Sequence, residues 1–182
     1  HNIGKFSWDT IIDHYTYPNG GNSTVEHFGR SDELSEPLHD STETCNTYNM
    51  LKLTRHLYAL DPNRKYMDYY ECAMWNHILA SQNPMDGMVM YKGYLDMPTR
   101  KKFSIPYDSF WCCVGTGFEN HPKYGESIWA WNKGTLYLNQ LIASELIWRN
   151  EGVKATLEPK FPQSDSLKLS FQGDIKTTPM LK

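Results

Sequence analysis

The pattern of apolar residues changes along the chain from helical to strand-like close to Asn132-Lys133-Gly134. Upstream, helical spacing predicts helices over Glu43 to Leu60, Arg64 to Gln82 and roughly Gly117 to Trp131. Downstream, alternating runs separated by Gly, Pro and Asp predict strands within Thr135 to Trp148, Val153 to Leu157 and Ser166 to Phe171. Helices followed by strands predict an α+β chain with two domains, residues 1–132 and residues 133–182.

The charge and hydropathy of the chain argue against several classes of partner. The formal net charge is -3 and no basic block occurs, so neither nucleic acid nor an anionic membrane is expected as the main target. No apolar stretch approaches the roughly 20 residues of a membrane span. We therefore expect a soluble chain with a small or neutral substrate. The compartment stays open between cytoplasm and periplasm.

Two adjacent thiols, Cys112 and Cys113, stand directly before a glycine-rich run. A disulfide between adjacent cysteines requires a strained ring. The two thiols are therefore more suited to binding a shared cation than to bonding with each other. The alternative is that both are buried apolar residues. Cys45, at the start of the first of these helices, has the position of a further ligand, whereas Cys72 lies within an aromatic-rich helix and is interpreted as core. The set of four ligands made by Glu43, Cys45, Cys112 and Cys113 is of the kind that binds Zn²⁺.

An acidic residue, Glu26, follows a turn in the N-terminal part of the chain. A short helix is predicted to begin at Phe6-Ser7-Trp8, and the turn covers Pro18 to Asn22. Glu26 is therefore displayed beside a loop, where a single carboxylate is most often simply solvated.

These segments together resemble the zinc- and cysteine-dependent β-L-arabinofuranosidases of glycoside hydrolase families 127 and 146. Several long motifs carry the resemblance in their order along the chain: Gly20-Gly21-Asn22-Ser23, Glu26-His27-Phe28, Glu43-Thr44-Cys45-Asn46-Thr47-Tyr48-Asn49, Trp111-Cys112-Cys113-Val114-Gly115-Thr116-Gly117 and Lys123-Tyr124-Gly125-Glu126. The resemblance covers roughly Phe6 to Trp148.

The resemblance implies a retaining exo-glycosidase that releases terminal L-arabinofuranose from plant-type glycans. Cys112 would attack the anomeric carbon, and Glu26 would act as general acid and base. The implied zinc ligands are Glu43, Cys45, Cys112 and Cys113. Tyr91 and His27 are the implied contacts to the sugar, although Met90-Tyr91-Lys92-Gly93 replaces the Tyr-Phe-Thr-Pro-like stretch of the family.

The implied fold is part of an (α/α)6 barrel in residues 1–132, followed by the start of a β-sandwich in residues 133–182. Because the helical part is several times shorter than a whole barrel, we expect a central fragment of such an enzyme. Such a fragment exposes apolar helix faces, so we also expect association with itself or with the missing remainder of the barrel.

Two alternatives to catalysis remain at this point. The first is a fragment without catalysis, which is either stabilised by zinc or binds sugar as a scaffold. The second is a thiol redox protein that uses Cys112 and Cys113, although redox motifs usually separate their cysteines by two residues.

Overall fold

The computed structural model describes residues 2–35, 42–96, 100–159, 165–173 and 180–181. The chain divides into two compact units, His1–Pro122 and Lys123–Lys182, which we call the helical unit and the sheet unit. The division falls between Pro122 and Lys123, while the predicted change of architecture at residue 132 falls within the sheet unit. The assignment of residues 1–132 and 133–182 to a barrel domain and a sandwich domain stays a prediction.

Among its described residues, the helical unit contains four α-helices and some shorter turns. They are α1 (Asn2–Tyr15), α2 (Thr44–Leu60), α3 (Arg64–Ala73) and α4 (Cys112–Asn120). The turns are a π-helical turn (Met74–Ile78), a 3-10 turn (Leu79–Ser81) and a second 3-10 turn at the end of the unit (His121–Lys123). Within the described residues, no helix has the length and apolar character that crossing a membrane demands.

Helix α2 confirms the prediction made for Glu43 to Leu60. Its apolar side buries Met50, Leu51 and Leu57, which recur at helical spacing. Glu43 is the extended residue before the first turn, and its side chain makes no capping hydrogen bond within the described segment. That carboxylate is therefore available to groups outside the helix.

The helix predicted over Arg64 to Gln82 begins at Arg64 but changes its hydrogen-bonding pattern after Ala73. The Asn63 side chain caps it by accepting from the Lys65 backbone N–H at 3.1 Å. From Met74 the chain widens into the π-helical turn and then tightens into the 3-10 turn that ends at Ser81. Periodicity could not predict this change, because apolar spacing does not distinguish single π and 3-10 turns from an α-helix.

The helix predicted over Gly117 to Trp131 is wrong in both bounds. Helix α4 begins earlier, at Cys112, and the chain leaves it after Asn120. Pro122 lies in the turn that follows and has no backbone N–H with which to continue a helical ladder. Trp129 to Asn132 form a strand instead, since aromatic side chains favour a half-buried sheet surface.

The part of the sheet unit that the structure describes contains six strands: β1 (Trp129–Asn132), β2 (Thr135–Leu138), β3 (Ser144–Trp148), β4 (Val153–Pro159), β5 (Leu167–Gly173) and β6 (Met180–Leu181). Lys133 and Gly134 have φ of 46° and 78°, which is the left-handed pair that a tight β1–β2 hairpin requires. One sheet has the order β1-β2-β6 and the other β3-β4-β5. Leu136, Trp148 and Val153 are the centre of their core.

Helices α1, α2 and α3 meet around the buried side chain of Trp8. Its indole N–H donates to Thr54 Oγ1 at 2.8 Å, and its ring packs edge-on against Tyr66 and Tyr69. Helix α1 is longer than predicted, since it begins at Asn2 rather than near Phe6. Aromatic residues in this part of the chain therefore serve the core.

Gly20 allows the loop after α1 to pass directly over helix α3. Its φ is 88°, and a Cβ placed there would lie 2.6 Å from Ala73 Cα. We expect Gly20→Ala to lower the free energy of unfolding by about 3 kcal/mol or more, because both the backbone angle and the contact oppose a side chain. Urea unfolding followed by circular dichroism measures this change.

Gly115→Ala is the matched control for Gly20→Ala. A Cβ at Gly115 meets nothing within 4 Å, and the residue lies inside helix α4. This control should raise the free energy of unfolding by about 1 kcal/mol, because alanine is the better helix former. Equal stability of the two variants would contradict the close approach of the loop to α3.

Candidate metal centre and active site

Four side chains from two helix starts converge in the helical unit. They are Glu43, Cys45, Cys112 and Cys113, and their ligand atoms all lie within 4.8 Å of one another. Glu43 Oε1 is 3.6 Å from Cys112 Sγ and 3.6 Å from Cys113 Sγ. Cys113 Sγ is 3.3 Å from Cys45 Sγ and 3.9 Å from Cys112 Sγ. The predicted four-ligand set is thus brought together in space.

Four of the six ligand separations lie close to the edges of a tetrahedral metal site. With metal–sulfur bonds of about 2.3 Å and a metal–oxygen bond of about 2.1 Å, a tetrahedron has S···S edges of about 3.8 Å and S···O edges of about 3.6 Å. The two S···O distances of 3.6 Å match the S···O edge, and the S···S distances of 3.3 and 3.9 Å lie on either side of the S···S edge. Three thiols with one carboxylate also form a donor set that suits Zn²⁺.

Helix starts position all of these ligands. Glu43 and Cys45 lie at the beginning of α2, and Cys112 and Cys113 form the first turn of α4. The N-terminus of a helix carries partial positive charge, which stabilises thiolates and carboxylates. Thr116, one turn further along α4, reaches Cys45 Sγ with its hydroxyl at 3.3 Å. Thr116 was not predicted, although a position three residues after Cys113 lies on the same helix face.

Backbone hydrogen bonds hold Glu43 between two neighbouring segments. On one side, its N–H donates to Ser23 Oγ at 2.7 Å. On the other side, the Thr44 N–H donates to the Tyr91 carbonyl at 3.0 Å and the Gly93 N–H to the Thr42 carbonyl at 2.9 Å. Glu43 and Tyr91 therefore belong to one small hydrogen-bonded layer, although they are far apart in sequence.

The three clustered thiols differ in acidity because they differ in partners and in burial. Cys45 donates its S–H to Cys113, which lowers the pKa of Cys113 to about 7 and raises the pKa of Cys45. Burial raises the pKa of Cys112. The protein alone thus favours one thiolate, at Cys113, and a cation bound by the whole set would favour the ionised form of every thiol.

Glu26 lies on a tight turn beside this cluster. Thr24 and His27 close the turn with backbone hydrogen bonds of 2.7 and 3.1 Å, and Val25 has a φ of 57°. A β-branched residue in this region is strained, at a cost of order 1–3 kcal/mol. Such strain persists only where surrounding contacts fix the backbone, so the position of Glu26 is tightly determined.

Tyr91 connects Glu26 with Cys112. Its hydroxyl donates a short hydrogen bond to Glu26 Oε1 and lies 3.9 Å from Cys112 Sγ. The hydrogen bond to Glu26 is the largest cause of a raised pKa at Tyr91, so this hydroxyl keeps its proton. The Trp111 ring, which the sequence reasoning did not single out, packs edge-on against Tyr91 with 5.6 Å between ring centroids.

Two further residues that the sequence analysis singled out, His27 and Cys72, do not belong to the four-ligand cluster. His27 is exposed on the same turn as Glu26, so its contact with sugar stays a prediction. Cys72 contacts the Pro18 carbonyl and Asn76 at 3.6 Å, and it takes no part in the thiol cluster. It is only half-buried, so its interpretation as a core residue is wrong.

A family model described as "Beta-L-arabinofuranosidase, GH127 catalytic domain" matches residues 1–126. No curated protein matched the chain.

Solved structures of GH127 enzymes share the fold. Ara127N-Se, a GH127 β-L-arabinofuranosidase from Geobacillus stearothermophilus T6, superposes with a TM-score of 0.76 at 18% identity, over 92% of this chain and 28% of that one. The GH127 β-arabinofuranosidase BT3674 superposes with a TM-score of 0.73 at 22% identity, over 90% of this chain and 26% of that one. A third structure, called a glycoside hydrolase, superposes with a TM-score of 0.69 at 17% identity, over 94% of this chain and 33% of that one.

The chain thus spans about a quarter to a third of the length of the structures that it resembles. The predicted fold class is confirmed, because a helical part followed by small sheets matches part of the GH127 fold. The match of the catalytic-domain model covers more than half of the residues. The chain belongs to the GH127 β-L-arabinofuranosidase family.

Proposed function

We propose that this chain carries the reacting groups of a retaining exo-glycosidase that releases terminal β-L-arabinofuranose from plant-type glycans. The observation that carries the proposal is the geometry around Cys112, which is exposed while Cys45 and Cys113 are buried. Cys112 is also the thiol beside the Tyr91 hydroxyl, which in turn binds Glu26. A substrate can therefore reach one sulfur of the cluster, with a carboxyl group close by.

In the first step, Cys112 Sγ attacks the anomeric carbon as a thiolate. The C–S bond forms while the bond to the glycosidic oxygen breaks, and Glu26 gives its proton to that departing oxygen. Tyr91 lies between the two groups: its hydroxyl donates to Glu26 and orients that carboxyl group, and its oxygen lies 3.9 Å from the Cys112 sulfur.

In the second step, the Glu26 carboxylate takes a proton from water, whose oxygen attacks the anomeric carbon. The C–S bond breaks, the sugar leaves with its original anomeric configuration, and Cys112 returns to the thiolate. Two displacements at one carbon account for retention.

Glu43, Cys45, Cys112 and Cys113 would hold Zn²⁺. The ion would supply positive charge that keeps the thiols deprotonated near neutral pH. Because Cys112 is both a ligand and the nucleophile, the other three residues must hold the centre together during the reaction. The burial of Cys45 and Cys113 suits that role.

Metal analysis tests the centre independently of activity. We expect the purified, reduced chain to hold about one equivalent of zinc, and Cys113→Ala to reduce that content strongly, because a buried ligand is lost. Cys72→Ser is the matched control, since Cys72 lies outside the cluster and the variant should keep its zinc. Zinc retained by Cys113→Ala, or less than about half an equivalent in the parent chain, would contradict the four-ligand centre.

A second candidate is a zinc-stabilised or sugar-binding fragment without catalysis. The exposed Ile3 and Phe6 of α1 support the proposal that the helical unit packs against a second copy or the remainder of a barrel. Zinc at full occupancy, with no release of 4-nitrophenol from its β-L-arabinofuranoside, would favour this candidate over the enzyme.

A further inference from the structure

A fully buried histidine lies behind the layer that holds Glu43. His77 belongs to the π-helical turn and is 2% exposed. Its Nδ1 shares a hydrogen bond of 2.8 Å with Thr47 Oγ1 on α2. Nε2 is buried and makes no hydrogen bond of good geometry among the described residues, but the ring approaches the Thr42 backbone. A buried polar nitrogen is costly without a partner, so this approach to Thr42 requires an explanation.

Nε2 of His77 faces Gly93 and the Thr42 backbone. A Cβ on Gly93 would lie 3.0 Å from this nitrogen and 2.9 Å from Thr42 Oγ1, so only glycine leaves room for both. Burial lowers the pKa of His77 to about 4, and a weaker opposing contact with the Thr42 backbone raises it. The ring is therefore neutral at neutral pH, and the residue it faces is the one directly before Glu43.

Thr42 is held in a conformation that it would not adopt alone. Its φ is 58°, its side chain is fully buried, and its hydroxyl donates to the Gly93 carbonyl at 2.5 Å. On the opposite side, a Cβ on Gly21 would lie 2.4 Å from Thr42 Cβ. Strain of order 1–3 kcal/mol at this residue persists only because the surrounding contacts fix it. His77 is one of those contacts.

We propose that His77 is a positioning residue for the metal centre. It joins Thr47 of α2 to the Thr42–Gly93 pair and thereby holds the Glu43 carboxylate against the three thiols. The inference rests on the proposed metal centre and adds a supporting residue that is not itself a ligand. The π-helical turn has a role in this arrangement, because it carries the ring into the space behind Glu43. Such turns are common at functional sites.

Cobalt binding tests the proposal without any assay of activity. Co²⁺ replaces zinc in thiolate sites, where its sulfur-to-metal absorption reports the thiolates and its visible ligand-field bands report the remaining ligand. We expect His77→Leu to weaken Co²⁺ binding by about 10- to 100-fold, as supporting partners of metal ligands do. The sulfur-to-metal absorption per bound cobalt should persist, while the ligand-field bands should shift to match those of Glu43→Gln.

Two further variants separate positioning from loss of stability. Thr47→Val removes only the hydroxyl partner of Nδ1 and should shift the same bands in a folded chain, even where His77→Leu does not fold. Ile78→Val is the matched control, because it trims a fully buried side chain of the same turn and makes no polar contact with Thr42. It should lower the melting temperature and leave the cobalt spectrum and affinity unchanged.

Distinct outcomes overturn the two proposals. Parent-like cobalt spectra and affinity in Thr47→Val and in folded His77→Leu would show that His77 only packs, while the metal centre would stand. A parent chain that binds no Co²⁺ would overturn the metal centre and the role of His77 with it. A spectral shift in Ile78→Val equal to that of Thr47→Val would also overturn the positioning role, because destabilisation alone would then explain it.

Discussion

Cys112→Ser is expected to reduce the release of 4-nitrophenol from 4-nitrophenyl β-L-arabinofuranoside by about four orders of magnitude or more. Loss of the nucleophile of a covalent mechanism has an effect of this size, because the remaining groups have no bond-forming partner. The serine hydroxyl holds its proton at neutral pH, whereas a cation held by Glu43, Cys45 and Cys113 would favour the ionised form of the Cys112 thiol. Initial rates at saturating and at low substrate measure the loss.

The effect on chemistry must be separated from an effect on the metal, because Cys112 is also a proposed ligand. Zinc content is therefore measured on the same samples, and Cys72→Ser serves as the control that keeps both the cluster and the activity. A slow substrate with fluorine at C2 should leave one sugar bound to Cys112, detected by mass spectrometry of the digested protein. A sugar found on Glu43 instead would reassign the nucleophile to the carboxylate 3.6 Å away.

Glu26→Gln is expected to affect the two steps unequally. With 4-nitrophenol, a leaving group that needs little protonation, formation of the thioglycosyl intermediate should continue while its hydrolysis slows by about 10²- to 10⁴-fold. Turnover number and KM should therefore fall together, and the sugar adduct on Cys112 should accumulate. With an alkyl arabinofuranoside, both steps should be slow.

Azide checks the role of Glu26, since it attacks without giving up a proton. Added azide should restore turnover of Glu26→Gln with 4-nitrophenyl β-L-arabinofuranoside and yield the sugar azide of retained configuration. Glu33→Gln is the matched control, because Glu33 lies in the same loop and pairs with Arg30 at 3.5 Å on the surface. Ordinary turnover of an alkyl arabinofuranoside by Glu26→Gln would exclude Glu26 as the general acid.

Much of the cluster could be predicted from sequence because its ligands sit in uninterrupted motifs. Cys112 and Cys113 are adjacent, and Glu43 and Cys45 are two positions apart at a helix start, so local geometry already fixes each pair. What joins the pairs is not local. The approach of α2 to α4 depends on packing between segments that are distant in sequence, and only the shared ligand chemistry of the four residues and the family resemblance pointed to it.

The errors have physical causes of the same kind. The helix expected to reach Trp131 fails because the hairpin at Lys133-Gly134 offers Trp129 to Asn132 a partner strand, and pairing outweighs helical spacing. Tyr91 was expected to contact sugar, and nothing in its neighbouring residues indicates that its hydroxyl lies between Glu26 and Cys112. The approach of the His77 ring to the Thr42 backbone is equally invisible before the side chains are placed.

The distribution of the four ligands over two helix starts has a thermodynamic consequence for the unfolded chain. Cys45 and Cys113 are separated by 68 positions, so an ion that holds both closes a long loop. By the loop-closure relation used for covalent cross-links, an ion that stayed bound to both in the unfolded chain would remove conformational entropy worth about 4 kcal/mol from the unfolded ensemble. The free energy of unfolding would then depend in part on the same ion that, in the proposed mechanism, keeps the nucleophile ionised.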